Sequence, residues 1–311
     1  GLKTKVKISF EPVENSSVVE ENGKKILNSS GGSMDSSGSV MHVALNKDYL
    51  KTDPSFIAAD LPGTLGHELL GHALEHIKAR KAGVEDTYDS YRNNEANAGV
   101  VGWIVNAERG VRFVDSHMWR FIDDLESYHS TLKTNLPYYA GTFSPAEMAN
   151  PVAVLKKRLE DAKREKAELQ DEAASERKWL AAIEHFVAAH GEKRASFRSL
   201  TEAINNYIGS YIPDHAKDLD EIVDYENGLI KQYQSPDGVR DAERMAQDAK
   251  KPFFMEAEKT LGARRRLLIK LMSGKPRETH FSPPPPGQKT MAELVAMRDQ
   301  DVKDQPEHWK K

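Results

Sequence analysis

The chain contains no cysteine among its 311 residues. Disulfides, thiolate metal sites and cysteine nucleophiles are thereby excluded, so any bound metal must be held by His, Asp and Glu. It also lacks a run of about 18 apolar residues, and no segment is expected to span a membrane. Neither charge sign dominates: 44 Lys and Arg stand against 48 Asp and Glu, a formal net charge of −4. That balance supplies no basic field for nucleic acid, and a nucleic-acid partner is not expected. The opening residues, GLKTKVKISF, lack the apolar core of a signal peptide, while Gly1 in place of Met leaves room for a leader already removed.

What is present reads as a mostly helical α+β protein. Charged residues make up 30% of the chain, which points to long solvated helices. Val6, Ile8 and Phe10 alternate with polar residues between Lys3 and Pro12, as on a half-buried strand, and Val40 to Asn46 alternates in the same way. The polar stretch from Asn15 to Ser39 between them reads as loop or hairpin. Asp60-Leu61-Pro62-Gly63-Thr64 resembles a helix start, followed by helical periodicity from Leu65 to Lys81 with Gly83 as the stop. A second helix is expected from Tyr91 to Glu108, and another within Ser116 to Leu132.

From Leu155 the pattern becomes a heptad seam: Leu155, Leu159, Ala162, Leu169, Ala173, Leu180 and Ile183, with Lys166 and Glu176 as polar interruptions. This predicts a long charged helical hairpin, a solvated antiparallel arm; the alternative is a coiled coil that takes a protein partner. Further helices follow over Leu200–Tyr211, Lys217–Gln232 and Asp241–Met272. The run Pro283 to Pro286 must be extended and reads as linker or tail, with a short helix over Met291–Met297. The expected organisation is a small strand-bearing catalytic unit at 1–145, a helical unit at 146–275 and a Pro-rich tail at 276–311. Arg264-Arg265-Arg266 is the one dense basic cluster, read as a solvated face or an acidic protein contact.

The chemistry concentrates in His67-Glu68-Leu69-Leu70-Gly71-His72. Two imidazoles on one helix can hold a zinc ion, and a carboxylate beside them can take a proton from metal-bound water. The histidines are five apart rather than four. On an ideal helix that places them about 140° apart, so a one-residue bulge is needed to bring them together, and Gly71 suits it. His76, four after His72, leaves a second arrangement open in which His72 and His76 share the ion. Glu75, Asp86 and Asp89 could orient a ligand imidazole. Asn93 and Asn94 could do so too, or cap the second helix. Tyr128, His129, Tyr207, Tyr211 and His215 are candidates to stabilise an oxyanion.

The hexapeptide HELLGH resembles the zinc signature of the dipeptidyl-peptidase III family, and the wider layout resembles the glutamate-zincins. The resemblance runs from Thr64 to Ala98. It implies that Glu95, in Asn93-Asn94-Glu95-Ala96-Asn97-Ala98, is the third ligand beside His67 and His72. It also implies one Zn2+ ion, Glu68 as general base, a peptide or protein substrate, and a strand, Val40 to Asn46, pairing with extended substrate at the cleft. The expected activity is thus that of a zinc metallopeptidase. The alternatives are a zinc amidohydrolase on a non-peptide substrate, and a helical binding or scaffold protein with a degenerate metal site. A polar catalytic unit joined to helical arms suits a secreted bacterial effector.

Overall fold

The computed structural model describes residues 5–13, 16–21, 23–28, 31–35, 40–111, 116–135, 137–189, 201–275, 300 and 303–304. The expected Pro-rich extension at 283–286 and the short helix at 291–297 lie outside them. The chain is mostly helical with a few strands, as its patterning requires. No helix among the described residues is long and apolar enough to cross a membrane.

Two compact units emerge. The first comprises Gly1–Leu132, Gly141–Val152 and Gln232–Glu278; the second comprises Lys133–Ala140, Ala153–Lys231 and Thr279–Lys311. The sequence-based boundary at 145 grouped everything up to 275 in the helical part. In the structure, residues 232–278 belong with the first unit.

In the first unit, strands β1 (Lys5–Glu11), β4 (Gly32–Asp35) and β5 (Val40–Asn46) form a sheet in the order β1-β5-β4, β1 parallel and β4 antiparallel to β5. Strands β2 (Ser17–Glu21) and β3 (Lys24–Asn28) form a separate hairpin. Met41, Val43 and Leu45 of β5 are wholly buried or nearly so. Their alternation turns one sheet face to the core.

The chain then runs as one long helix. It comprises α1 (Pro54–Leu65), a π-helical stretch Gly66–Ala73 and α2 (Leu74–Ala82), closed by Gly83 in the left-handed region with φ 63°. Asp53 stands at the cap and Pro54 at the first helical position, where a missing N–H costs nothing. The helix therefore begins well before Asp60, and Pro62 lies inside it rather than at its start. Asp60 serves another purpose: its carboxylate accepts the hydroxyl proton of buried Tyr49.

After the short α3 (Glu85–Tyr88), helix α4 (Asn94–Glu108) packs against the π stretch, and α11 (Pro252–Met272) packs against α4. Helices α5 (Ser116–Asp123) and α6 (Leu125–Asn135) divide at Asp124 the single helix expected over Ser116–Leu132. Trp103, Phe121 and Tyr128 cluster edge-on or tilted, with centroids 5.3–5.9 Å apart, so Tyr128 is a core residue. Two of the three clustered arginines are internal ties rather than a solvated face. Arg264 reaches Glu75 at 3.2 Å, and Arg265 donates to the carbonyls of Phe121, Ile122 and Asp123 at the end of α5.

In the second unit, α7 (Pro151–Ala189) runs antiparallel to α9 (Ile212–Tyr233), which follows the helical residues 201–206 (α8) and a π turn at Tyr207–Tyr211. The heptad positions Ala162, Leu169 and Ala173 bury against Ile212 and Leu219. Tyr207–Glu172, His215–Glu165 and Lys166–Asp220 tie the two helical segments together along the seam. Helix α10 (Pro236–Asp248) then returns the chain to the first unit.

Glu226 occupies the seam one heptad beyond Leu219 and is buried, its Oε2 without a hydrogen-bond partner among the described residues. Burial pushes its carboxyl up to about 7, against the pull of Arg158 and Lys133 and with Asp161 adding to the rise. A carboxyl whose folded pKa exceeds its unfolded value, about 4.3, leaves stability intact below that value and erodes it as the pH climbs to the folded one. Glu226→Gln should therefore stabilise the arm at pH 8 by on the order of 1–2 kcal/mol, and hardly at pH 4.5. Helix melting followed at both pH values checks this; equal effects at the two would show that the carboxyl does not titrate in that range.

Candidate metal centre

The extra residue between the histidines is absorbed where it must be. Residues Gly66–Ala73 adopt π-helical bonding, in which each turn holds one more residue than in an α-helix. His67 and His72 thus come to one side, with Nε2 atoms 3.0 Å apart and ring centroids 4.7 Å apart. The special demand on Gly71 is close approach rather than unusual dihedrals. A Cβ there would lie 2.4 Å from Ala98 Cα on α4. The two helices touch backbone to backbone at that point, and the contact repeats at Gly102, whose Cβ would lie 2.8 Å from Gly63 O.

That proximity brings the first turn of α4 under the histidines. Glu95 Oε1 is 3.1 Å from His67 Nε2, and Oε2 is 3.2 Å from His72 Nε2. These are the three residues that could hold a cation: among the described residues, theirs is the one His/Asp/Glu group whose donor atoms converge, all within 4.8 Å. Asn94, the neighbour of Glu95, places Oδ1 3.2 Å from His72 Nδ1. An amide oxygen only accepts, so a hydrogen on Nδ1 would be held by this contact, and a His72 that also carries one on Nε2 donates to Glu95. Burial disfavours a charged His67, but Glu95 at 3.1 Å outweighs it and raises the imidazole above its usual value. Burial likewise opposes ionisation of Glu95, and here the charge of His67 and the bonds from both histidines win, holding the carboxyl far below the ordinary range.

Glu68 points to the opposite side of its helix from solvent. It is buried, and its Oε2 has no hydrogen-bond partner among the described residues. Burial raises its pKa, with Glu95 adding to the rise and the histidines opposing it. The strand beside it is β4: a Cβ at Gly32 would lie 3.3 Å from Glu68 Cγ. Strand β5, expected at the cleft edge, instead lies between β1 and β4, with both its edges paired.

His76 is turned away from the other two histidines. It is buried, with its ring edge-on to Tyr88 at 5.0 Å and Nε2 3.4 Å from Asp89. Burial drives its pKa down to about 4, so it is a neutral core histidine. Glu75 pairs with Lys78 and Arg264, not with a ligand imidazole. Asp86 faces Arg244. Neither asparagine caps α4 through its side chain: Asn93 donates to Glu258, which also receives the hydroxyl of Tyr91. Sequence reasoning missed Glu258, whose spacing from the motif carries no signal. Tyr128 and His129 are buried in the aromatic core, while Tyr207, Tyr211 and His215 stack on one another in the second unit.

No protein-family model, curated protein or solved structure matches the chain.

Proposed function

We propose that this protein is a zinc-dependent metallopeptidase, with His67, His72 and Glu95 as ligands and Glu68 as general base. The observation that carries the reading is the convergence of two imidazole nitrogens, 3.0 Å apart, on the Glu95 carboxylate, whose two oxygens reach one nitrogen each at 3.1 and 3.2 Å, beside the buried carboxylate of Glu68. Ligand atoms about 2.0–2.1 Å from a tetrahedral zinc stand roughly 3.3 Å apart. The spacing here fits such an ion, and two nitrogens with one oxygen are the donors that zinc hydrolases use.

Zinc, when bound, supplies a Lewis acid and brings the pKa of a coordinated water to roughly 7. The chain supplies the rest. Asn94 holds His72 in the tautomer with Nε2 available, and Glu95 balances charge at the site. Glu68 accepts a proton at its carboxylate and returns it to the leaving amine. The outer strand β4, beside Glu68, is the candidate to pair with an extended substrate backbone.

Elemental analysis tests this reading directly. About one zinc per chain is expected, lost in His67→Ala and in His72→Ala; a protein that takes up no zinc when zinc is supplied would refute it. Asn94→Ala should weaken zinc affinity about 10–100-fold without removing a ligand. Chelator competition measures that, and an unchanged constant would exclude Asn94 from the support of His72. Affinity should also fall steeply with acid, because protonated His67 cannot coordinate and Glu95 favours its protonation.

A further inference from the structure

The sheet's other margin carries a separate property. Strand β1 pairs with β5 along one side, and among the described residues nothing pairs with its second side. Val6, Ile8 and Phe10 face the same way as the buried Met41, Val43 and Leu45 of β5, yet remain 40%, 49% and 45% exposed. The core thus stops short of β1. A seven-residue edge with three half-exposed apolar side chains is a template for another strand unless charge or a bulge blunts it.

We infer that β1 is covered by β1 of a second copy, paired antiparallel about a two-fold axis at Ile8. The strand reads Lys5-Val6-Lys7-Ile8-Ser9-Phe10-Glu11. About Ile8 it is self-complementary: Lys5 falls opposite Glu11, Val6 opposite Phe10, Lys7 opposite Ser9, and Ile8 opposite itself. Apolar residues meet on the core side and opposite charges on the other. Shifting the pairing by one residue would set lysines against apolar side chains. Moving the axis to Lys7 would oppose two lysines, and moving it to Ser9 would leave Val6 uncovered. The register centred on Ile8 alone pairs all seven residues with matched faces and charges. Glu11 is half-exposed beside Ser9 and His42, at 2.8 and 3.2 Å, and so stays available at the surface. The two sheets would join into one of six strands. The β4 margin, beside Glu68, lies two strands away, about 10 Å, so the metal centre stays accessible in the pair.

Sedimentation velocity of the full chain over a range of concentrations tests this. One short strand pair predicts a weak dimer, with a Kd on the order of 10 µM. Lys5→Glu and Glu11→Lys should each weaken it about tenfold or more, because each places like charges at two symmetric positions. The double variant should return to within about threefold of the parent. Ile8→Lys should abolish it, with far-UV circular dichroism confirming that each variant folds. A parent chain that stays monomeric to about 0.5 mM overturns the inference. So does a dimer indifferent to the charge reversals, or one that the double reversal fails to restore.

Discussion

Glu68→Gln should lower turnover by roughly 10²–10⁴-fold while leaving one zinc per chain bound. The amide has the shape of the carboxylate, so the contact of Glu68 with β4 and the helix packing survive. What it lacks is a basic oxygen. Glu68 is not among the converging donors, and the ion should stay. Cleavage of an unfolded protein substrate, read by mass spectrometry beside metal content, separates the two effects. Activity close to that of the parent would remove Glu68 from the mechanism. Loss of metal together with activity would show that Glu68 supports the site rather than the proton transfer.

The second large effect is expected at Gly71. A side chain there must enter a space where Ala98 Cα is 2.4 Å and Ala98 Cβ 2.7 Å away. Backbone cannot yield as the tip of a flexible side chain can, so the π stretch and α4 would have to part. Overpacking of this kind typically costs 1–3 kcal/mol and sometimes more, and Gly71→Val should exceed about 3 kcal/mol. Ala98 lies one turn beyond Glu95, so the same displacement draws Glu95 from the histidines, and zinc affinity should fall with stability. Gly209 is the internal control. It also lies in a π turn, but a Cβ there meets nothing within 4 Å. Gly209→Ala should be neutral or stabilising by up to about 1 kcal/mol. Thermal denaturation and zinc titration of both variants give the comparison; a Gly71→Val protein as stable as the parent would mean that the helix contact is not tight.

The parts of the fold visible in the sequence are those governed by local period. Five-residue spacing of the histidines demands a widened turn, and the turn is there. Alternation over Val40 to Asn46 marks β5, and the steps between Leu155 and Ile183 mark the buried side of α7. The parts that escaped depend on partners remote in the chain. Strand β4, Gly-Ser-Met-Asp, has the composition of a loop and is extended because β5 pairs with it. Pro62 resembles a helix start because its missing N–H usually signals one, whereas the real start lies at Pro54, about two turns earlier. Arg264 and Arg265 read as solvated because nothing nearby in sequence announces Glu75 or the end of α5. At the candidate site, the two histidines and Glu68 are legible from the motif itself, and Glu95 from resemblance. The bond from Asn94 to His72 required coordinates, since a cap and a ligand support look alike in an Asn-Asn pair.

The first unit is interrupted by the arm, and this has a consequence in time. Arg264 on α11 clasps Glu75 of the motif helix across 189 residues of chain. At about 5–20 residues per second, a ribosome needs roughly 10–40 s to make that stretch. For that interval the motif helix is complete but lacks the helix that backs α4, while the arm, a local antiparallel pair, can close on its own. The metal centre is therefore expected to mature late in synthesis, and a nascent chain halted before α11 should carry its zinc motif without a settled site.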